Sequence, residues 1–303
     1  MRVTDKQFNN LMLNLVAKAG QSNADSMNRI ATGSRLLRPS DDPIGAMRVA
    51  RYVQMEMAVT QYNKNLSRLT DKHQQNEQQL QSIVHDLREV KSGLIKAKDA
   101  STNSADLVSY VNQIASLRDN IVSLSNSTDY GGQYIFSGTA VTTPPIAFDP
   151  DADAGSRYSW KGNTSTQMVQ VAANEWQPSN VTLPEVAGFL NTLDIAVELA
   201  LAPGATNGDE AVQRALSNAL SAVDNISDSV DSKIAFTGYV RDFAALLGNA
   251  HDGTTLSLRD SAAEIDGADI AEESIEVNSY LVALEATQKI YAKIMNTSVL
   301  DIL

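Results

Sequence analysis

Between Tyr52 and Ala97, residues recur at alternating steps of three and four: Tyr52, Met55, Val59, Tyr62, Leu66, Leu69, His73, Asn76, Leu80, Ile83, Leu87, Val90, Leu94 and Ala97. Only His73 and Asn76 interrupt the apolar seam. A strand would alternate every second residue, so this spacing fits a helix with one seam to bury. Its start is legible in Ser40-Asp41-Asp42-Pro43. Proline favours the first helical position, and the carboxylate of Asp42 before it can accept from orphan backbone N–H groups. A helix from Pro43 to about Ala100 would be on the order of 80 Å long at 1.5 Å per residue, so the chain is expected to be elongated. For this seam, partners within the chain are the simpler expectation than a direct coiled coil between copies.

Ser101-Thr102-Asn103-Ser104 interrupts the pattern, and a second helix follows with Leu107, Tyr110, Ile114, Leu117, Ile121 and Leu124 on one seam. A third seam steps through Val212, Leu216, Ala219, Val223, Ile226, Val230, Lys233, Thr237, Val240, Ala244 and Leu247. His251-Asp252-Gly253-Thr254-Thr255 is expected to break it. Three long seams make a bundle.

Between Tyr130 and Val181 the pattern changes. Gly131-Gly132, Pro144-Pro145, Gly155 and Gly162 punctuate short runs at Tyr134-Ile135-Phe136, Arg157 to Trp160 and Gln167 to Val171, which read as strands and turns. Val186 to Leu201 reads as a short helix closed by Pro203-Gly204. Trp160 and Trp176 are expected in the core of this small β-rich insert.

The two ends carry wide amphipathic stripes: Phe8, Leu11, Met12, Leu15, Val16, Ala19 and Ile30 at one, and Val277, Leu281, Leu284, Tyr291, Met295 and Ile302 at the other, widened by Ile290, Ile294 and Val299. Each stripe is wider than one two-helix contact covers, so each needs its counterpart and further copies of the chain. The expected fold class is therefore mainly α with a small β-rich insert, an elongated helical bundle with paired terminal helices. Residues 1–42 with 255–303 would form the terminal helices, 43–130 with 205–254 the bundle, and 131–204 the outer insert.

Composition narrows the function. With 43% apolar residues there is enough for a packed core, while 6% aromatics suits extended helices better than a compact enzyme. The formal charge of −12 divides unevenly: 15 Lys/Arg stand against 10 Asp/Glu in residues 1–100, and 9 against 26 in the rest. No basic stripe with interleaved aromatics accompanies the excess, which argues against nucleic acid and for attraction between the halves or between copies. No cysteine is present, and no apolar stretch reaches membrane-spanning length, so neither a thiolate site nor a membrane partner is expected. The N-terminus lacks a cleavable signal pattern, so export would leave the chain uncleaved.

Candidate chemistry is thin. His73 reads as a packed, hydrogen-bonded seam position; His85 and His251 stand in a helix and a turn with no nucleophile pattern. Asp149-Pro150-Asp151-Ala152-Asp153 has calcium-loop character, but Ala154 occupies the glycine position and Trp160 that of the bidentate glutamate, leaving a surface turn. Asp41 and Asp42 suit capping rather than acid–base catalysis. No metal, cofactor or catalytic residue is expected. Asp260 to Glu276 holds seven acids and no base, while Arg29, Arg35, Arg38, Arg48 and Arg51 crowd the segment joining the first two helices. These groups are expected to meet, within or between copies, and to set the register of the terminal pair.

The stretch from Ala31-Thr32-Gly33-Ser34-Arg35-Leu36-Leu37-Arg38-Pro39-Ser40-Asp41-Asp42-Pro43 to Ala46 resembles the N-terminal signature of bacterial flagellins and their hook-associated relatives. The segment from Leu117-Arg118-Asp119 through Tyr130-Gly131-Gly132-Gln133-Tyr134-Ile135-Phe136-Ser137-Gly138 is similar to the helix end and first strand of that family. The ending from Leu284-Glu285-Ala286 to Leu303 resembles its terminal helix. Ser-Asp-Asp-Pro, where flagellins commonly read Lys-Asp-Asp-Ala-Ala-Gly, leans toward the hook-associated branch. The resemblance covers roughly residues 1–140 and 205–303. It implies a structural subunit at the hook–filament junction, secreted by the flagellar type III system to the extracellular flagellum. Implied partners are other copies of the chain, hook-associated protein 1 on the hook side, flagellin on the filament side, and an export chaperone at the C-terminal helix. A flagellin is the nearest alternative and a coiled-coil regulator a more distant one; a hydrolase would need a polar pocket in the insert.

Overall fold

The computed structural model describes residues 2–99 and 102–300, without the side chains of residues 2–5, 8, 9, 291, 292 and 294–300. In chain order the elements are α1 (Arg2–Thr32), α2 (Pro43–Lys98), α3 (Ser104–Ser125), β1 (Ile146–Phe148), β2 (Tyr158–Trp160), β3 (Met168–Ala172), β4 (Glu175–Pro178), α4 (Glu185–Leu201), α5 (Glu210–Asp266) and α6 (Ile270–Leu300). The chain divides into two compact units, residues 1–60 with 252–303, and residues 61–251.

In the second unit the seams become a core. Leu80, Ile83, Leu87, Val90 and Leu94 of α2 are buried in one cluster with Leu107, Val111, Ile114 and Ile121 of α3, Phe189, Leu190 and Leu193 of α4, and Val212 to Val230 of α5. Burying each large aliphatic side chain is favourable by about 1.5–3 kcal/mol, so the seam explains the bundle. The Ile114 side chain of α3 packs against Gly93 of α2, where an added Cβ would stand 3.0 Å from its Cγ1. Asn103 caps α3 by accepting from the N–H groups of Ala105 and Asp106. Lower on α2, Leu66 and Leu69 pack with Val171 of β3 and with Val240 and Ala244 of α5.

Two antiparallel hairpins form the β-rich part. Ile146 pairs with Trp160 in one and Met168 with Pro178 in the other. Here three expectations need correction. Tyr134-Ile135-Phe136 forms no strand: Tyr134 makes a single bridge to Thr128, and Ile135 and Phe136 enter the core from bends. Trp176 is 51% exposed, because it pairs with Gln170 on the hairpin face opposite the buried Val171. Residues 251–255 do not break α5, which continues to Asp266; glycine costs a helix only about 1 kcal/mol, and no proline is present to stop it.

In the first unit α1 and α6 pack on each other. Thr32-Gly33 ends α1 as expected, with Gly33 at φ +69°. α6 starts after Gly267, later than the expected start near residue 255.

Candidate assembly interface

The pairing of α1 with α6 uses only part of each apolar stripe. Met12, Leu15, Val16 and Ala19 on one helix and Tyr280, Ala283, Leu284 and Thr287 on the other line a shared gap of about 240 Å³. Met12, Val277 and Leu284 are half-buried. By contrast Leu11 is 56% exposed and Leu281 52%, Leu15 at the rim of the gap is 53% exposed, and Leu13 and Val282 add to the uncovered surface. Ile275 and Ile290 are also exposed. The stripe thus separates into a half used within the pair and a half facing out. The side chains of Phe8, Tyr291 and Met295, and all of Ile302, lie outside the described residues.

Toward the inner end the contact turns polar. Ser26 donates to Oε2 of Glu276 at 3.1 Å, and Nη1 of Arg29 lies 3.1 Å from Oε1 of Glu273. Both acids belong to the acidic stretch, so one of the five arginines meets it directly.

The connector between α1 and α2 is held from both sides. Ser34 bridges Gly267, and the carboxylate of Asp266 accepts from Oγ of Ser34 and from the N–H of Leu36. Arg35 donates to the carbonyl of Ile265 at 2.9 Å and reaches Asp42 at 3.4 Å, so it meets the acidic stretch through its backbone. Arg38 pairs with Asp25 of α1 at 3.4 Å instead, and its own N–H donates to Asp41. Asp42 caps α2 by accepting from Gly45 N at 2.9 Å; that bond, helped by Arg35 and opposed by desolvation, holds its carboxyl below the usual value. Pro43 opens the helix. Ser34, Ser26 and Asp266 carry no sequence signal strong enough to single them out: each is an ordinary polar residue until the fold brings its partner from more than two hundred positions away.

No group of three or more His, Cys, Asp or Glu among the described residues is arranged to hold a metal ion, and no helix among them is long and apolar enough to cross a membrane. Nε2 of His73 donates to the carbonyl of Pro178 at 2.8 Å, and Glu77, one turn along, is taken by Arg241. The surface turn after Phe148 is closed by the Asp149 N–H bonding to Arg157 O.

Residues 4–141 match the model of the bacterial flagellin N-terminal helical region. Flagellar hook-associated protein 3 of Escherichia coli is 29% identical over 133 residues, which is 44% of this chain and 42% of that protein. The chain thus spans less than half the length of that relative. Flagellin of Bacillus subtilis is 22% identical over 285 residues, covering 93% of this chain and 92% of the flagellin. Among solved structures, a Vibrio parahaemolyticus protein described as flagellar hook-associated superposes with a TM-score of 0.67 at 22% identity, covering 75% of this chain and all of the other. FlgL of Xanthomonas campestris does so with a TM-score of 0.59 at 13% identity, covering 71% of this chain and 99% of that one. At such identities the structures show a shared fold.

Residues 4–141 are therefore similar to the flagellin N-terminal helical region, and the chain has a flagellin-like, mainly helical fold. In sequence the chain is similar to flagellar structural proteins, hook-associated protein 3 among them.

Proposed function

We propose that this chain is a structural subunit of the bacterial flagellum that forms the junction between hook and filament, assembling along the axis through α1 and α6. The observation that carries the reading is the uncovered half of the paired stripes: Leu11, Leu15 and Leu281 remain more than half exposed after α1 and α6 have packed. Large aliphatic groups grouped on a helix pair mark a surface meant for another protein. The similarity to hook-associated protein 3 supplies the setting. In this reading residues 1–42 with 255–303 join the axis, 43–130 with 205–254 form the next layer, and 131–204 face outward. Hook-associated protein 1 lies on one side and flagellin on the other. The chain leaves the cell by the flagellar type III route, with a chaperone on its C-terminal helix, and has no enzymatic role.

Electron microscopy of a strain lacking this protein tests the reading. Hooks without filaments, with flagellin shed to the medium, are the expected result. Filaments that merely shorten would favour the second reading, a flagellin, which the near full-length similarity to Bacillus subtilis flagellin supports.

A further inference from the structure

Along the first turns of α2, Ile44, Met47, Arg48, Arg51 and Met55 fall on one helix face at steps of three and four, and all five are exposed. The other side of the helix is already used: Gly45 is buried, with a built Cβ 3.3 Å from Cγ2 of Ile265, and Glu56 pairs with Arg259 at 2.6 Å. The end of α5 has its own outward face, formed by Gly253, Leu256, Asp260 and Glu264, again all exposed. Among the described residues, Arg48, Arg51, Asp260 and Glu264 make no ion pair. One face is apolar and cationic, the other apolar and anionic. Each spans about 16 Å of helix.

The two faces cannot satisfy each other within one chain, because both lie away from the α2–α5 contact. They do match in level. With Gly45 beside Ile265 and Glu56 beside Arg259, the helices run in opposite directions here. Counting from the first contact sets Arg48 level with about residue 262, Arg51 with about residue 259 and Met55 with about residue 255. Glu264, Asp260 and Leu256 are each within one turn of those levels.

We propose that these faces dock on each other between neighbouring copies of this chain, Arg48 against Glu264, Arg51 against Asp260, and Met55 over Leu256. Two copies side by side, in the same orientation and at the same height, meet this register without rearrangement. The contact joins two different faces, so it repeats head to tail and builds a ring or a helical tier. A second copy is the fitting occupant because both halves of the charge complement are written into one chain. The proposal rests on the reading of the chain as a self-assembling flagellar subunit and adds which faces meet.

The chain lacks cysteine, so Arg51→Cys with Asp260→Cys in the full chain gives an isolated crosslinking pair. This variant is expressed in a strain lacking the native protein, and its flagella are treated with a bis-maleimide. The expected product is a ladder at multiples of the chain's own mass, absent for either single variant and for Arg51→Cys with Asp228→Cys. As an independent measure, Arg48→Glu with Arg51→Glu should lower the fraction of filament-bearing cells at least about tenfold, and adding Asp260→Arg with Glu264→Arg should restore it. Circular dichroism establishes that each variant is folded. Filaments without a ladder, or products of mixed mass only, overturn the docking and leave the junction role standing. If cells lacking the chain form normal filaments, the junction role fails and the docking fails with it.

Discussion

Ser34 and Asp266 are joined by a hydroxyl that reaches both carboxylate oxygens, at 2.7 and 2.8 Å, while the N–H of Leu36 donates to the same group. This carboxylate thus adds side-chain bonds to the backbone bridge that fastens the connector after α1 to the end of α5. Asp266→Ala leaves the Leu36 N–H without its acceptor and should cost about 2–3 kcal/mol locally. Hydrogen exchange at residues 34–38 would then rise roughly thirtyfold or more, since 1.4 kcal/mol is about a factor of ten. Unchanged exchange would show that the clasp is dispensable.

Asp194 is the most constrained charge in the second unit. Only 3% of its side chain is exposed, and it lies 2.6 Å from Arg118 and 3.1 Å from Arg157. Arg118 also sits over the ring of Tyr158. Arg118 keeps Asp119 at 3.0 Å and Arg157 keeps Glu198 at 2.8 Å, but both lose their buried partner, so Asp194→Ala should destabilise the protein by about 2–3 kcal/mol. Chemical denaturation measures this directly. A loss under 1 kcal/mol would mean that water replaces the carboxylate.

His73 makes stability depend on pH. The side chain is fully buried; burial holds its pKa below the ordinary 6.5, the Pro178 carbonyl acts the other way, and Lys72 and Arg241 add repulsion. Protonation would also place an N–H at Nδ1, a buried atom with no hydrogen-bond partner. The unfolded chain thus takes up a proton that the folded chain resists. The contribution is fully present above about pH 6.5 and is lost as pH falls from there toward the folded-state pKa. Melting temperatures at about pH 7.5 and 5.5 should differ less for His73→Gln than for the native chain. Equal differences would assign the pH effect to other groups.

Residues 61–251 contain their own buried cluster and should fold without the ends. A fragment of those residues is expected to be monomeric, helical and cooperative in thermal unfolding, and unable to support filaments. A molten fragment would show that the terminal helices are needed for folding as well as for assembly.

Much of this architecture was legible because helix seams are periodic. The run from Leu66 to Ala97 is buried as its spacing requires, and the Asp42-Pro43 start and the α4 helix fall where their local chemistry puts them. Where structure and expectation differ, a short-range signal is overruled by the surface its residues face. Gly253 and its neighbours resemble a turn, yet the helix tolerates them while His251 donates to the carbonyl of Val171. Trp176 looks like a core residue, but strand alternation turns it outward. Of the five arginines expected to meet the acidic stretch, Arg29 meets a carboxylate and Arg35 a carbonyl, whereas Arg38 turns to Asp25. Charge patterning tells which segments attract, and the backbone decides which groups touch.

In the proposed function the outward half of the terminal stripes is the assembly surface. Because Leu11 and Leu281 are more than half exposed and line no gap between the helices, Leu11→Asp with Leu281→Asp should change monomer stability by no more than about 1 kcal/mol. The measurement is electron microscopy of a strain lacking the native protein and expressing this folded, secreted variant. Bare hooks with flagellin shed to the medium are the expected outcome; filaments of normal number and length would contradict the account.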